Sequence, residues 1–136
     1  IEGSFGKFFD SKNPPKNQIW IGGGIGITPF VSMARSLQKN GLKIDLYYTF
    51  SSRDKAPFLE ELLEITSRLD NFRLFPYGAD QEGFITCQAI INKGGSLIEK
   101  NLFLCGPPIM ISSLKNQFKK VGIPKKNIHS EEFNYL

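Results

Sequence analysis

From residue 19 onward, short apolar runs alternate with longer stretches in which apolar residues recur at three- and four-residue spacing. A short apolar run bounded by glycine, proline or polar residues is typical of a strand, and the longer spacing is typical of a helix with one buried face. The predicted strands cover 19–21, 44–50, 72–77, 101–104 and 127–133. The predicted helices cover about 29–40, a stretch that begins near residue 57, a short stretch that follows residue 86 and ends at 94–95, and 107–121. This alternation predicts an α/β fold with a doubly wound five-stranded parallel sheet and helices on both faces.

Particular residue types mark where these helices begin and end. Thr28 is a natural N-cap for the first helix, Pro29 suits its first position because the N–H there needs no partner, and Gly41 supplies a stop. Thr86 has the same capping role for the third helix. The helical residues expected to be buried are Phe30, Met33, Ala34 and Leu37, then Phe58, Leu62, Ile65 and Leu69, and finally Met110, Leu114 and Phe118.

The first 18 residues differ from the rest of the chain. They combine a short strand-like segment with a stretch rich in proline, asparagine and lysine, which is typical of a linker. We therefore expect 1–18 to be the end of a preceding unit with its linker, and 19–136 to form the domain. The first residue is Ile1 rather than methionine, so we also expect the chain to be excised from a longer protein.

Composition narrows the function classes. The 136 residues carry a net charge of +4, with 40% apolar and 22% charged residues, which are ordinary values for one globular domain. The late lysines lack interleaved aromatic residues and any nucleic-acid motif, so we expect no nucleic-acid partner and interpret them as a solvated helix face. Two cysteines far apart and one histidine do not supply a metal site, and we expect a reducing, cytoplasmic setting.

Two turns between a predicted strand and a predicted helix carry almost no side chains. The first runs over 22–29 (GGGIGITP) and the second over 105–108 (CGPP). Glycines let a phosphate approach the main chain at a helix N-terminus, where unpaired N–H groups attract anions. The spacing is not G-x-G-x-x-G, however, and glycines also serve tight packing between a strand and a helix. Both interpretations of the first turn remain open, and the second turn at another strand end favours a ligand site.

Four segments in order carry a family resemblance: IGGGIGITPF, YTFSSRDKAPFLEEL, FLCGPPIM and IHSEEF. They resemble the nicotinamide-binding domain of the ferredoxin-NADP reductase superfamily over residues 19–136. The opening GSFGKF is similar to the end of the flavin-binding barrel that precedes this domain in the family. The resemblance implies NADPH or NADH as the cofactor of this domain and FAD bound mainly by a domain outside this chain.

The resemblance also assigns roles to individual residues. The cofactor-binding residues that it implies are Gly23, Gly24, Ile25, Gly26, Thr28 and Pro29 in the first turn, Ser52 and Arg53 after the second strand, and Cys105, Gly106, Pro107 and Met110 in the second turn. Cys105 would lie beside the nicotinamide, and Met110 would flank the adenosine half. Cys105, Glu131 and Phe133 are implied as catalytic residues, with the ring of Phe133 covering the flavin. The alternative for Phe133 is a core residue of the last strand.

The Ser52-Arg53 pair bears on the choice of nucleotide. Arginine can bind a phosphate with two hydrogen bonds and serine can add one more. Within the family such a pair often contacts the 2′-phosphate, so the resemblance favours NADPH. Asp54 could equally pair with Arg53 or accept from a free ribose hydroxyl.

The resemblance implies an oxidoreductase that passes hydride from NAD(P)H to FAD for onward electron transfer. The ending of the chain is most similar to bacterial ferric reductases and NADPH oxidases, which implies a preceding FAD-binding domain and a haem-containing transmembrane domain in the same polypeptide. The alternatives are the reductase domain of a flavohaemoglobin or oxygenase system, and a dinucleotide-sensing module without catalysis. We expect this chain alone to be inactive because most of the flavin site lies outside it.

Overall fold

The computed structural model of the chain describes residues 14–38 and 41–132. Within these residues, five strands form one parallel sheet: β1 (Asn17–Gly23), β2 (Lys43–Phe50), β3 (Phe72–Gly78), β4 (Asn101–Gly106) and β5 (Ile128–Glu132). The helices of the same residues are α1 (Thr28–Arg35), α2 (Leu59–Arg68), α3 (Ala79–Glu82), α4 (Cys87–Gly94) and α5 (Pro108–Lys120). Three short 3-10 turns cover Gly24–Ile27, Arg53–Lys55 and Lys125–Asn127. The predicted five-stranded parallel sheet with helices on both faces is confirmed.

Each central strand is buried on both faces, which explains its continuous apolar sequence. Trp20 of β1 lies level with Leu46 of β2 and Phe103 of β4, and all three side chains face α1 and α2. One residue further along, Ile21 belongs to the opposite face, where the core is formed with α4 and α5. The two layers are anchored by fully buried side chains such as Trp20, whose ring stacks on that of Phe30 at 5.3 Å between centroids.

The strand order is β3-β2-β1-β4-β5. The chain moves outward from β1 to β2 and β3, then returns to place β4 on the other side of β1. In an open parallel sheet, a reversal of this kind leaves a crevice at the carboxyl ends of the two strands that flank it. For this chain those strands are β1 and β4, and the two bare turns follow them directly.

Several boundaries differ from the sequence predictions. The 3-10 turn Gly24–Ile27 already forms one helical turn, so Ile27 occupies the capping position of α1 and Thr28 is its first residue rather than its N-cap. Helix α1 ends at Arg35 instead of continuing to residue 40, because the N–H groups of Ser36 and Leu37 bond three residues back and tighten the last turn. The predicted end at residue 40 lies outside the described residues.

Other predictions hold with small shifts. The cap by Thr86 is confirmed, since its hydroxyl accepts from the N–H of Ala89. Strand β1 begins at Asn17, so two residues of the predicted linker belong to the sheet. The loop that follows β3 contains the short helix α3, which the sequence pattern did not predict. Four residues of the predicted helical stripes are only half-buried: Met33, Leu37, Phe58 and Met110.

Candidate functional site

The two bare turns lie side by side at the carboxyl edge of the sheet. Gly22 of β1 is level with Cys105 of β4, so the strands end together and their turns leave the sheet at the same height. The first turn then runs through Gly24–Ile27 into α1, and the second runs through Pro107 into α5. The sequence-predicted juxtaposition of these turns is therefore present in the structure.

The first turn packs directly on the end of β4 through Gly26. A Cβ on Gly26 would overlap the carbonyl group of Cys105 and would lie 2.7 Å from the Cα of Gly106. Both neighbours are main-chain atoms, which cannot move aside as a side chain can. Gly26 is thus required for tight packing between the two turns, which was one of the two interpretations left open by the sequence.

Gly23 and Gly106 line the floor between the turns. A Cβ on Gly23 would lie 2.7 Å from Thr49 Oγ1 and 2.9 Å from Met110 Sδ, and a Cβ on Gly106 would lie 2.9 Å from Met110 Cε. The hydroxyl of Thr49 donates to the carbonyl oxygen of Gly22 at 3.3 Å. The half-buried Met110 therefore touches the ends of β1 and β2 and sits at the base of the crevice, at the meeting point of three strands.

The outer surface of the first turn is open to a ligand. Gly24, Ile25 and Thr28 are exposed, and Gly24 has a φ of 58°, which lies in the region that favours glycine. No side chain caps the 3-10 turn, α1 or α5, in contrast to α4, which Thr86 caps. A helix start without such a cap can present N–H groups to phosphate oxygens. At the first turn these groups belong to the 3-10 turn, because the N–H of Thr28 already donates to the carbonyl oxygen of Ile25. The surface defined by Gly24, Ile25 and Thr28 is therefore a candidate phosphate site.

Cys105 is fully buried, with its side chain in the core layer that faces α1 and α2. Burial raises the pKa of its thiol to about 12, and the nearby carboxylate of Glu131 adds to this effect. A thiol with such a pKa stays protonated at neutral pH and does not act as a nucleophile. The role beside the nicotinamide stays a prediction.

After β2, the residues of the Ser52-Arg53 pair have different surroundings. The hydroxyl of Ser52 donates to the carboxylate of Asp54, and this hydrogen bond is the main reason that the pKa of Asp54 lies below its ordinary value. Arg53 is exposed and forms no ion pair with another described residue. Asp54 therefore pairs with the serine rather than the arginine, and the Arg53 guanidinium remains available to an anion at this edge.

The predicted residues of the tail are only partly described. Glu131 is half-buried on β5, level with Cys105. Phe133 lies outside the described residues. His129, two residues before Glu131, packs its ring against that of Phe103 at a tilt of 30°. Its Nε2 forms a hydrogen bond of 3.0 Å with Oδ1 of Asn101. Burial lowers the pKa of His129, which favours the neutral imidazole.

The structure also places residues at this edge that the sequence analysis did not select. Phe84 follows α3 and is 91% exposed, and Ile109 at the start of α5 is 85% exposed. Large apolar side chains that protrude in this way often mark binding surfaces. The sequence around Phe84 predicts only that Thr86 caps a helix, and the exposure of Phe84 cannot be inferred without the position of α3.

The strand order and the two turns define the class of protein. A doubly wound parallel sheet with uncapped, glycine-lined helix starts on both sides of its switch point is a nucleotide-binding α/β domain. The chain belongs to the oxidoreductase NAD-binding domain family, whose model matches residues 20–116, and it is an NAD(P)-binding domain of the ferredoxin-NADP reductase superfamily.

Relatives from several redox systems are similar to this chain. The glycine betaine monooxygenase reductase subunit of Pseudomonas aeruginosa (strain UCBPP-PA14) is 27% identical, over 98% of this chain and 39% of its own length. The phenol hydroxylase P5 protein of Acinetobacter pittii (strain PHEA-2) is 31% identical, over 98% of this chain and 41% of its own length. The chain thus spans about two-fifths of the length of these curated relatives.

Solved structures agree with the fold. A crystal structure of the Amycolatopsis cytochrome P450 reductase GcoB superposes with a TM-score of 0.75 at 26% identity, covering 90% of this chain and 39% of that one. The flavohemoglobin of Malassezia yamatoensis, solved with bound FAD and heme, gives a TM-score of 0.76 at 24% identity, covering 91% of this chain and 33% of that one. Among residues 14–38 and 41–132, no helix combines the length and apolar character that a membrane crossing requires.

Proposed function

We propose that this chain binds NAD(P)H at the carboxyl edge of its sheet and serves as the nicotinamide-nucleotide half of a flavin-dependent reductase. The observation that carries the proposal is the pair of locked turns, in which Gly26 lies on the main chain of β4 while Gly24, Ile25 and Thr28 stay open above it. When bound, the nicotinamide nucleotide supplies a hydride for an FAD held mainly by a preceding domain.

The contribution of this chain is binding and orientation. The open N–H groups of the first turn would hold the pyrophosphate, with Gly23 and Gly106 leaving room beside Met110. Pro29 and Pro107 fix the directions in which α1 and α5 leave the turns, and both lie next to the exposed residues without donating a hydrogen bond. Fixed placement of this kind lowers the entropic cost of bringing two reactants together.

Acid-base chemistry is not part of the proposed role of Cys105. Its thiol is buried and its pKa is raised to about 12, so it neither donates nor accepts a proton near neutral pH. We propose instead that Cys105 and Gly106 set the depth at which the nicotinamide ring rests. Glu131, level with Cys105 on β5, and Phe133 after it would line the flavin side of the same ring.

We further propose that Arg53 contacts the 2′-phosphate of NADPH. Arg53 is exposed at the end of β2, next to the strand that carries the first turn, and has no ion pair among the described residues. Ser52 can join this contact only if its hydroxyl leaves Asp54. With NADH, the carboxylate of Asp54 is the group suited to accept from the free ribose hydroxyl.

The parent protein is proposed to carry an FAD-binding domain before this one. One candidate parent is a ferric reductase or NADPH oxidase with a haem-bearing transmembrane domain. The similarity to oxygenase reductases and to a flavohemoprotein of Dictyostelium discoideum supports the alternative parent equally well. Both parents assign the same role to this domain.

The test is calorimetric titration of the 136-residue chain with 5′-ADP, which reports on the phosphate surface without needing FAD. Thr28→Glu would place a carboxylate on the exposed surface of the first turn, where it repels a phosphate. We expect at least roughly ten-fold weaker binding of 5′-ADP, as a like charge within a few ångströms implies. Asn116→Glu, with the same charge change on the exposed middle of α5, is the control and should bind as the unmodified chain does. Equal affinity for Thr28→Glu, or no binding by the unmodified chain at millimolar 5′-ADP, would overturn the assignment.

A further inference from the structure

We infer that the amino edge of the sheet, opposite the nucleotide site, is a docking surface for the anionic face of a lipid bilayer. The surface, here called the basic edge, is defined by Lys16, Lys43, Lys100, Lys119, Lys120, Lys125 and Lys126. This inference concerns a different part of the molecule from the proposed nucleotide site and does not depend on it.

Strand register brings these lysines into one row. Lys43 N donates to the carbonyl oxygen of Lys16, which joins the first residues of β2 to the residue before β1. Asn17 is level with Lys43, and Gln18 is level with Asn101, so Lys100 lies beside the start of β1. The pairing of Leu102 with Ile128 brings Lys100 next to the Lys125–Asn127 turn. With neighbouring strands about 4.8 Å apart, the row follows the amino ends of four adjacent strands.

The lysine side chains are directed to solvent. All are exposed except Lys100, which is half-buried, and none of them forms an ion pair with another residue in the described part of the chain. A favourable position at a helix C-terminus explains Lys119 and Lys120 at the end of α5. It does not explain Lys43, Lys100 or Lys126, which lie outside the α-helices.

The acidic residues at this edge do not cancel the row. Asp45 is bound by Arg73 through two hydrogen bonds of 2.8 and 2.7 Å, and the same guanidinium also donates to the carbonyl oxygen of Gly94. That pair is neutral as a unit. Asp70 and Glu99 are the remaining exposed acids beside the lysine row among the described residues. The excess of positive charge at this edge is therefore large for a domain whose net charge is +4.

Two exposed aliphatic side chains flank the lysines. Val121 directly follows Lys120 and is 55% exposed, and Ile98 lies two residues before Lys100 and is 76% exposed. Lysines attract an anionic membrane surface, while protruding aliphatic groups enter the boundary between headgroups and acyl chains. A purely electrostatic partner would not require the two apolar side chains.

A cleft on the same edge favours a lipid over the surface of an acidic protein. It has a volume of about 590 Å³, and its charged lining residues are Lys43, Lys100, Asp70 and the Asp45–Arg73 pair. A phosphatidylserine headgroup carries a phosphate that the lysines can bind and an ammonium group that the exposed carboxylate of Asp70 in the same cleft can bind.

The position of the basic edge is also compatible with a bound membrane. Strand β1 has seven residues, so the two edges of the sheet are separated by roughly 23 Å at about 3.3 Å per residue. Lipid at the basic edge therefore leaves the nucleotide edge open. An electron-transfer partner, by contrast, has to approach the nucleotide edge.

The test is sedimentation of the 136-residue chain with vesicles of phosphatidylcholine containing about 30 mol% phosphatidylserine, at low ionic strength. We expect binding that is lost with pure phosphatidylcholine and weakened by added salt. Lys126→Ala should weaken binding roughly five-fold, and Lys125→Ala with Lys126→Ala roughly 25-fold. Lys55→Ala is the matched control, because Lys55 is also an exposed lysine in a 3-10 turn but lies at the opposite edge.

Each other outcome overturns the inference. No sedimentation with the anionic vesicles would exclude the lipid, and equal weakening by Lys55→Ala and Lys126→Ala would show that net charge alone attracts the chain. Binding to polyglutamate but not to vesicles would assign the basic edge to an acidic protein instead. The fluorescence of the buried Trp20 in each variant verifies folding independently of nucleotide binding.

Discussion

The substitution Gly26→Ala tests the contact between the first turn and the end of β4 in the proposed nucleotide site. Gly26 does not have a positive φ, so alanine introduces no strain of backbone conformation. Its Cβ would nevertheless overlap the carbonyl group of Cys105 and come within 2.7 Å of the Cα of Gly106. Forcing extra atoms into a packed interior costs about 1–3 kcal/mol, and we expect the upper end of that range because both neighbours are main-chain atoms.

Urea unfolding followed by the fluorescence of Trp20 measures this cost. Trp20 is the only tryptophan of the chain and is fully buried, so its emission should change on unfolding. A loss of about 3 kcal/mol corresponds to a midpoint lower by roughly 1–2 M urea, for a slope near 2 kcal/mol/M. Binding of 5′-ADP, measured without urea, should also weaken because the first turn must move away from β4.

Gly83→Ala provides the control for this substitution. Gly83 has a φ of 76° and a ψ of −161°, a combination essentially restricted to glycine, and open space around its Cβ position, so alanine there meets only a conformational cost of about 1–3 kcal/mol. The pair of variants thus separates steric overlap from backbone strain. If Gly26→Ala unfolded at the same urea concentration as the unmodified chain, the two turns would not be in contact as described.

Three further predictions concern single side chains. Arg53→Ala should weaken the binding of 2′,5′-ADP roughly ten-fold in calorimetry, because a charge-assisted contact is lost, and should leave the binding of 5′-ADP unchanged. Equal losses for the two ligands would refute a phosphate contact, and Lys55→Ala is the control. Burial raises the pKa of the Cys105 thiol to about 12, so this thiol should not react with a thiol reagent at pH 8 in the folded chain but should react in urea. Cys105→Ser distinguishes its signal from that of Cys87. Rapid labelling of Cys105 in the folded chain would contradict its burial. Burial lowers the pKa of His129, so the unfolded chain binds more protons than the folded chain as the pH falls. The contribution of His129 to stability is therefore complete above its unfolded pKa of about 6.5 and is lost as the pH falls below that value. NMR titration of this single histidine should give a pKa below 6.5, and a higher value would reverse the predicted sign.

The sheet and most helices follow from sequence because their signals are local. Trp20, Leu46 and Phe103 lie in apolar runs that only a strand buried on both faces explains, and Thr86 caps α4 as its position predicts. The predicted end of α1 was wrong. Leu37 continues the helical spacing of apolar residues, but from Ser36 onward the N–H groups bond three residues back and the α-helix has ended. Periodicity records which face could be buried, whereas the end of a helix depends on its last hydrogen bonds.

The candidate site was predictable only in outline. The two bare turns were found from sequence, since glycine and proline after an apolar run are strong local signals. That Gly26 faces the main chain of Cys105 depends on a distance between two segments, which the sequence does not contain. That Ser52 donates to Asp54 depends on the local conformation of the turn after β2, which the sequence pattern leaves open. The exposure of Phe84 is of the same kind, because it depends on where α3 directs the chain.

The contact between the first turn and β4 has a consequence for how a two-part ligand binds. Because the two turns are joined through Gly26 and through Met110 at the floor, the two places proposed for the halves of a dinucleotide are held at one fixed separation. Once one half is bound, the other meets its place at a high effective concentration rather than by a second encounter from solution. The intact dinucleotide should therefore gain affinity over its separate mononucleotides without any additional contact, and that gain should shrink when the joint between the turns is loosened.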